Sequence, residues 1–294
     1  FWAVGWIMAA LLGYFLVPRQ IGGWPGWRWA LLVGIVPAFY ALVVRHGLPE
    51  SVRFLESKGR LAEAERSVRQ FESQSNVAPP AGFEVAVTET PLSIEPSRER
   101  ISIFSPSLRK RTIALWSVWF FVNLSYYGAF TWLPTLLFRQ GHSLVRSFEY
   151  TLIITIAQLP GYAMSAWLIE KWGRRPTLAT FLLGSGVAAG LFGLQSSTAG
   201  ILLAGMALSF FNLGAWGALY AIGPEIYPTA MRGTGTGAAA AVGRVAAVIA
   251  PLGVPFLLAG GGSPLVFGVF AVSFAIAAGS ALLLPERSQL SMVE

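Results

Sequence analysis

Residues 199–258 read AGILLAGMALSFFNLGAWGALYAIGPEIYPTAMRGTGTGAAAAVGRVAAVIAPLGVPFLL. Two apolar runs, 199–223 and 234–258, flank a turn that carries Glu225 and Arg232. Arg244 is the one charge inside either run. An α-helix rises ~1.5 Å per residue, so about 20 apolar residues cross the ~30 Å hydrocarbon core of a bilayer. Both runs meet that length, and the polar turn marks an exit and a re-entry. Six more runs qualify on the same ruler: 1–17, 29–46, 113–138, 148–169, 177–195 and 264–285. The predicted fold class is all-α, a polytopic membrane helical bundle of about eight transmembrane helices.

Composition agrees with that reading. The chain is 54% apolar and 12% charged over 294 residues, against roughly 25% charged in an ordinary soluble domain. With 11 Trp and 20 Phe, its apolar surface needs lipid to face. All 14 acids are Glu, Cys is absent, and the two His, His46 and His142, sit near the ends of apolar segments. Zinc sites, thiol catalysis, Ser-His-Asp triads and Asp-based phosphoryl transfer therefore lack their parts. Neither an enzyme nor a bound metal or cofactor is expected.

The basic residues fall unevenly on the two sides. The connection between the second and third runs, with Arg45 at its edge, holds 11 of them. Lys171, Arg174 and Arg175 follow the fourth run, Arg232 the sixth and Arg287 the eighth, which makes 16 on one side. Arg19, Arg28, Arg139 and Arg146 make 4 on the other. The positive-inside rule puts the 16 in the cytoplasm, so the long central loop and the C-terminus are expected there. The net charge of +7 then reflects topology, and no nucleic-acid partner is expected. Phe1 already stands in apolar sequence, without Met, basic anchor or signal-peptide start, so the reading is the C-terminal part of a longer chain. Within the central loop, Leu55 to Ser73 reads as one amphipathic helix with Leu61, Ala64, Val68 and Phe71 on its apolar face. Residues 74–100 are polar and Pro-bearing and read as disordered. Leu108-Arg109-Lys110-Arg111 suits anionic headgroups at the membrane surface.

Leu48-Pro49-Glu50 after the second run recurs as Leu284-Pro285-Glu286 after the eighth, six helices on, which suggests two six-helix halves. Glu170-Lys171-Trp172-Gly173-Arg174-Arg175-Pro176 fills the turn after the fourth run. Pro224-Glu225-Ile226-Tyr227-Pro228-Thr229-Ala230-Met231-Arg232-Gly233-Thr234-Gly235 fills the turn after the sixth, and Pro49-Glu50-Ser51-Val52-Arg53-Phe54-Leu55 opens the central loop. Together these resemble the major facilitator superfamily, in its sugar-porter-like and metabolite:proton symporter branches. There the patterns are D/E-x-x-G-R-R, P-E-x-x-P-T-x-x-R-G-T-G and P-E-S-P-R-x-L, and Val52 replaces the last motif's second Pro.

The resemblance covers helices five to twelve of a twelve-helix carrier. It implies that 1–46 are the last two helices of an N-terminal half, and 47–112 the cytoplasmic loop with amphipathic helices. Residues 113–285 would be the C-terminal six-helix half and 286–294 a cytoplasmic tail. Six helices in one bundle with two orphan helices beside it are expected. Phe1-Trp2-Ala3-Val4-Gly5-Trp6, Tyr126-Tyr127-Gly128 and Trp132-Leu133-Pro134 look more like bacterial niacin transporters and related aromatic-acid carriers. Phe120-Phe121 stand where sugar porters carry Gln-Gln. The resemblance implies a monomeric, proton-coupled carrier in the bacterial inner membrane. It would move a small organic solute, aromatic or carboxylate such as nicotinate, by alternating access and without a cofactor.

Particular residues then acquire candidate roles. Glu225 closes a helix C-terminus, where the macrodipole disfavours an anion by about 0.3–1 kcal/mol. Arg174, Arg175 and Arg232 are its candidate partners. With Glu50, Arg53, Glu170, Gly173 and Glu286 they make the cytoplasmic gate that the resemblance implies; solvated acids beside positive-inside anchors are the alternative. Arg244 lies toward the midplane, where a charge costs a few kcal/mol unless it faces a cavity or a partner. It either attracts an anionic group of the solute, or snorkels or bonds backbone carbonyls. Asn123, Tyr127 and Phe130 share a face at i, i+4, i+7 with Tyr126 beside it. Asn212, Trp216 and Tyr220 align at i, i+4, i+8, and Gln158 lies mid-span two residues before Pro160. A flat aromatic lining with amide donors suits a small heteroaromatic acid. Singly, such amides also join helices, and Trp and Tyr also form interfacial belts.

No acid stands mid-span, so a proton-titrating carboxylate is expected upstream of Phe1. A sugar or polyol porter is one rival reading. A non-transporting scaffold or truncated inactive product is another.

Overall fold

The computed structural model describes residues 2–47, 49–57, 59–75, 102–139, 141, 143–228 and 231–286. They fall into two compact units, one drawn from 1–30 and 101–294 and the other from 31–100. In chain order the elements are α1 (Trp2–Leu16), β1 (Gln20–Ile21), β2 (Trp24–Pro25), α2 (Gly26–Val33), α3 (Val36–Gly47), α4 (Val52–Ser57) and α5 (Leu61–Ser75). There follow α6 (Arg109–Arg139), α7 (Leu144–Ile156), α8 (Gln158–Trp172), α9 (Arg174–Leu194), α10 (Thr198–Glu225) and α11 (Arg232–Leu282). The fold is all-α, with β1 and β2 forming one small antiparallel hairpin.

The expected spans appear with local corrections. Pro160 has no N–H for the Ile156 carbonyl, and the fourth span is accordingly broken at Ala157 into α7 and α8. The second span, expected unbroken over 29–46, turns at Gly34–Ile35 because Pro37 sits in the first turn of α3. The seventh and eighth spans join in α11, 51 residues long, about twice what one crossing needs. Gly261 (φ −170, ψ 17) and Gly262 (φ 65, ψ −160) interrupt it. Contacts with α6 show that the chain reverses there. Tyr127 and Trp132 meet Arg244 and Pro251, in parallel order, whereas Ser117 and Ser125 meet Ser280 and Phe270, in antiparallel order.

Side-chain size sets the packing of the first unit. Gly235, Ala239, Gly243, Ala246 and Ala250 are buried at spacings of three and four, a small-residue face that lets α11 approach its neighbours closely. Phe181 of α9 seats on Gly214 of α10, and Phe211 of α10 seats on Gly184 of α9. Gly161 of α8 touches the Phe210 carbonyl of α10, and the Ser165 hydroxyl donates to the Gly214 carbonyl at 2.7 Å. A Gly161→Ala variant is expected to lose about 1–3 kcal/mol by overpacking this backbone contact. A lowered thermal-unfolding midpoint in detergent would show it.

The first helix is not an orphan. α1 packs on α7, with Gly13 against the Phe148 ring and Ala3 and Ala10 buried. That corrects the expectation of two unpartnered helices: Trp2 and Trp6 also reach across to α6. In the second unit the helix expected over Leu55–Ser73 is two, α4 and α5, because the chain turns at Gly59 (φ 71). Leu55 and Ala64 are buried there, whereas Leu61 and Phe71 are each 50% exposed, so the expected apolar face is only partly the inner one. Of the stretch read as disordered, Gln74 and Ser75 end α5 and the rest lies outside the described residues.

Candidate functional site

Two groups of side chains stand out in the first unit, one at mid-span and one at the turns joining α8 to α9 and α10 to α11. The mid-span group is built on α6. Tyr126 is fully buried; its ring lies 4.8 Å from Phe130 and meets Trp216 of α10 edge-on at 5.9 Å. Trp216 stacks on Tyr220 (5.6 Å, 29°), and Trp119 of α6 sets its ring edge-on to both. Trp2 of α1 donates its indole N–H to the Tyr126 hydroxyl at 2.8 Å, and Trp6 packs edge-on against the same ring at 6.3 Å. The result is an aromatic wall drawn from α1, α6 and α10.

Arg244 borders that wall. Its Nη1 donates to the Tyr127 hydroxyl at 2.9 Å, and the Tyr127 ring abuts Tyr126 at 5.3 Å. Arg244 is exposed and has no carboxylate within ion-pair distance among the described residues. Its hydrogen bond goes to a phenol, and none to a backbone carbonyl is found among the described residues. A guanidinium held at one nitrogen keeps other N–H groups for a carboxylate, which it can bind through two parallel hydrogen bonds.

The amides behave differently from one another. Asn123 donates to the Trp119 carbonyl of its own helix at 2.7 Å and is closed over by Gly243, so it is committed locally. Its expected face with Tyr127 and Phe130 divides: Tyr127 goes to α11 and Phe130 stays with Tyr126, a split that helical spacing alone leaves open. Gln158 and Asn212 are fully buried, yet neither amide has a hydrogen-bond partner among the described residues. The indole nitrogens of Trp119 and Trp216 are unpartnered as well. Each such group costs about 1–3 kcal/mol, so several on packed helices are a feature that calls for a function. Trp2, Trp6 and Trp119 were missed as site residues. Their signal was the i, i+4 pair on α1 and a Trp one turn before Asn123.

At the turns, three helix ends are tied together. Gly173 ends α8 at φ 93, a conformation that disfavours any side chain, and leaves no room for one beside the Glu286 carboxylate. That carboxylate accepts from the backbone N–H of Arg174 (3.2 Å) and of Arg175 (2.9 Å), capping the N-terminus of α9 where the helix dipole favours an anion. Glu225 pairs with Arg174, Nε to Oε1 at 3.1 Å, which selects one of its three candidate partners. Arg175 reaches the Leu284 carbonyl at 3.5 Å, and Arg232 donates to the Tyr227 carbonyl at 3.4 Å. The Tyr227 hydroxyl bonds Thr112 at 3.2 Å, and burial pushes its pKa above the ordinary value. Glu170 is exposed and unpaired among the described residues. Glu50 belongs to the second unit, where its carboxylate accepts from the Ser51 N–H at 3.2 Å; the Arg53 side chain lies outside the described residues. Among the described residues no three His, Asp or Glu side chains gather as metal ligands would.

Residues 1–291 match the family described as "Sugar (and other) transporter". The chain is 41% identical to the niacin transporter NiaP of Acinetobacter baylyi over its whole length, and 38% identical to the putative niacin/nicotinamide transporter NiaP of Bacillus subtilis. It spans 65% and 64% of the length of those two relatives. Among solved structures it is similar to a double-tryptophan mutant of XylE, with a TM-score of 0.73 and 19% identity over 99% of this chain and 63% of that one. XylE bound to 6-bromo-6-deoxy-D-glucose, described as a proton:xylose symporter, gives 0.72 and 20% over 97% and 62%.

Proposed function

The chain belongs to the sugar (and other) transporter family of the major facilitator superfamily, and on that premise we propose that it forms part of a carrier for a small aromatic carboxylate. The observation that carries the proposal is the Arg244–Tyr127 pair at the edge of the Tyr126–Trp216–Tyr220 wall. The guanidinium takes the carboxylate, and the flat ring lies against the aromatic faces. Gln158 and Asn212 supply amide groups for a ring nitrogen or a second polar atom. Nicotinate has these features, and the two niacin-transporter relatives support it as the first compound to test.

Transport proceeds by alternating access in the plasma membrane, with the loop of residues 47–112 and the C-terminus in the cytoplasm. The Glu286 cap and the Arg174–Glu225 pair hold the cytoplasmic ends of α8, α9, α10 and α11 together, and they loosen when that side opens. Such ion pairs are individually weak, as a repeatedly opening gate needs. Proton coupling is the reading that the proton-symporter neighbours support.

Uptake of labelled nicotinate by cells producing the protein from its complete native reading frame tests this reading. Competition by unlabelled aromatic monocarboxylates, but not by xylose or nicotinamide, is expected. Competition by xylose alone would favour the sugar-porter alternative, and absence of any uptake would favour a scaffold.

A further inference from the structure

The hairpin after α1 is built with unusual economy. Arg19 donates its N–H to the Leu16 carbonyl at 3.0 Å, and Gly26 donates to Arg19 at 2.8 Å. A side chain at Gly26 would run into the Leu16 and Arg19 carbonyls, so the hairpin is locked onto the end of α1. Trp29 donates its indole N–H to the Ile21 carbonyl at 3.1 Å. Against this frame the Arg28 guanidinium lies 5.3 Å from the Trp24 ring and 5.4 Å from the Trp27 ring. Those two rings are 52% and 48% exposed. Residues 1–49 carry no acidic side chain, and no carboxylate pairs with Arg28 among the described residues.

The depth of this cluster follows from the packing. Gly13 of α1 seats on Phe148 of α7, so the end of α1 and the start of α7 share one end of the unit. At the far end of α8, Lys171 lies 4.2 Å from the Trp167 ring, and Trp167 and Trp172 are exposed. From Phe148 to Trp172 the helix path is ~36 Å at ~1.5 Å per residue. A bilayer measures ~30 Å through its hydrocarbon and ~40–45 Å with headgroups, so two tryptophan–cation sets stand one membrane apart.

We propose that Trp24, Trp27 and Arg28 form a binding site for the phosphate of an anionic phospholipid at the membrane surface where α1 ends. Two indole rings flank the guanidinium, whose N–H groups have no hydrogen-bond partner among the described residues and are left for phosphate oxygens. The indole N–H groups of Trp24 and Trp27 have no partner among the described residues and add donors at headgroup level. Anionic lipid is favoured over zwitterionic because the segment carries Arg19 and Arg28 with no acid to offset them.

The test is native mass spectrometry of the purified protein, delipidated and then exposed to equal phosphatidylglycerol and phosphatidylcholine. Wild type is expected to retain phosphatidylglycerol preferentially. Arg28→Gln is expected to lower that retention about fivefold. Trp27→Leu is expected to lower it in the same direction. Arg139→Gln, at an exposed arginine of the same surface with no ring partner among the described residues, is expected to change nothing. Undiminished retention in Arg28→Gln would overturn the proposal. So would an equal loss in Arg139→Gln, which would make the effect one of general charge, or displacement of the lipid by nicotinate, which would make the cluster a solute site.

Discussion

An Arg244→Gln variant is expected to take up nicotinate about 10- to 100-fold more slowly than wild type, the ratio that follows from losing a charge-assisted hydrogen bond of ~1.5–3 kcal/mol. The glutamine ends two bonds short of the atom that meets the Tyr127 hydroxyl, so the positive charge, the paired N–H edge and that bond are removed from an exposed position. Membrane abundance and unfolding midpoint are therefore expected to stay near wild type. Tyr127→Phe gives a second reading of the same geometry. It removes the hydroxyl 2.9 Å from Arg244 but keeps the charge, and a loss of only a few-fold is expected. Equal uptake by Arg244→Gln at equal abundance would remove this arginine from the solute site. Loss of uptake for neutral and anionic solutes alike would make its role structural.

Gly173→Ala is expected to disable the gate. At φ 93 an alanine is strained by about 1–3 kcal/mol, and its methyl would press on the Glu286 carboxylate that caps α9. The cap loosens, the end of α11 is freed from the α8–α9 turn, and uptake falls at least about tenfold, the ratio that ~1.4 kcal/mol supplies. Residues 1–294 contain no Cys, so one thiol engineered among them reports the opening once any Cys elsewhere in the reading frame is replaced. Gly237→Cys is suitable, since Gly237 is exposed with open space about it, one turn into α11. Faster labelling of that thiol from the cytoplasmic side in the Gly173→Ala background is the expected result. Unchanged labelling together with unchanged uptake would show that the Glu286 cap is not a latch.

The crossings and their turns were legible residue by residue. Glu225 beside three arginines was readable as half of an ion pair because a carboxylate at a helix C-terminus needs compensation. Which arginine supplied it was not, since Arg174 lies 51 positions away and reaches Glu225 only through the packing of α9 on α10. The Glu286 cap was hidden for the same reason: it joins backbone groups across 112 positions. Helical spacing also left the α6 face undecided. Residues three and four apart both lie on one side of a helix, so Tyr126 with Phe130 and Asn123 with Tyr127 were equally allowed until α1, α10 and α11 took their places.

By itself the sequence determined that this is a membrane-embedded helical bundle, because apolar runs of bilayer length admit no other backbone that satisfies its own hydrogen bonds. It also determined the family, through three turn motifs whose spacing survives as local chain. Only the tertiary structure decided that α1 docks through Trp2 and Trp6, that Asn123 is spent within its own helix, and that Arg244 rests on a phenol. Those outcomes depend on which faces of distant helices meet, and side-chain size at Gly13, Gly161 and Gly243 sets that meeting once the whole chain has packed.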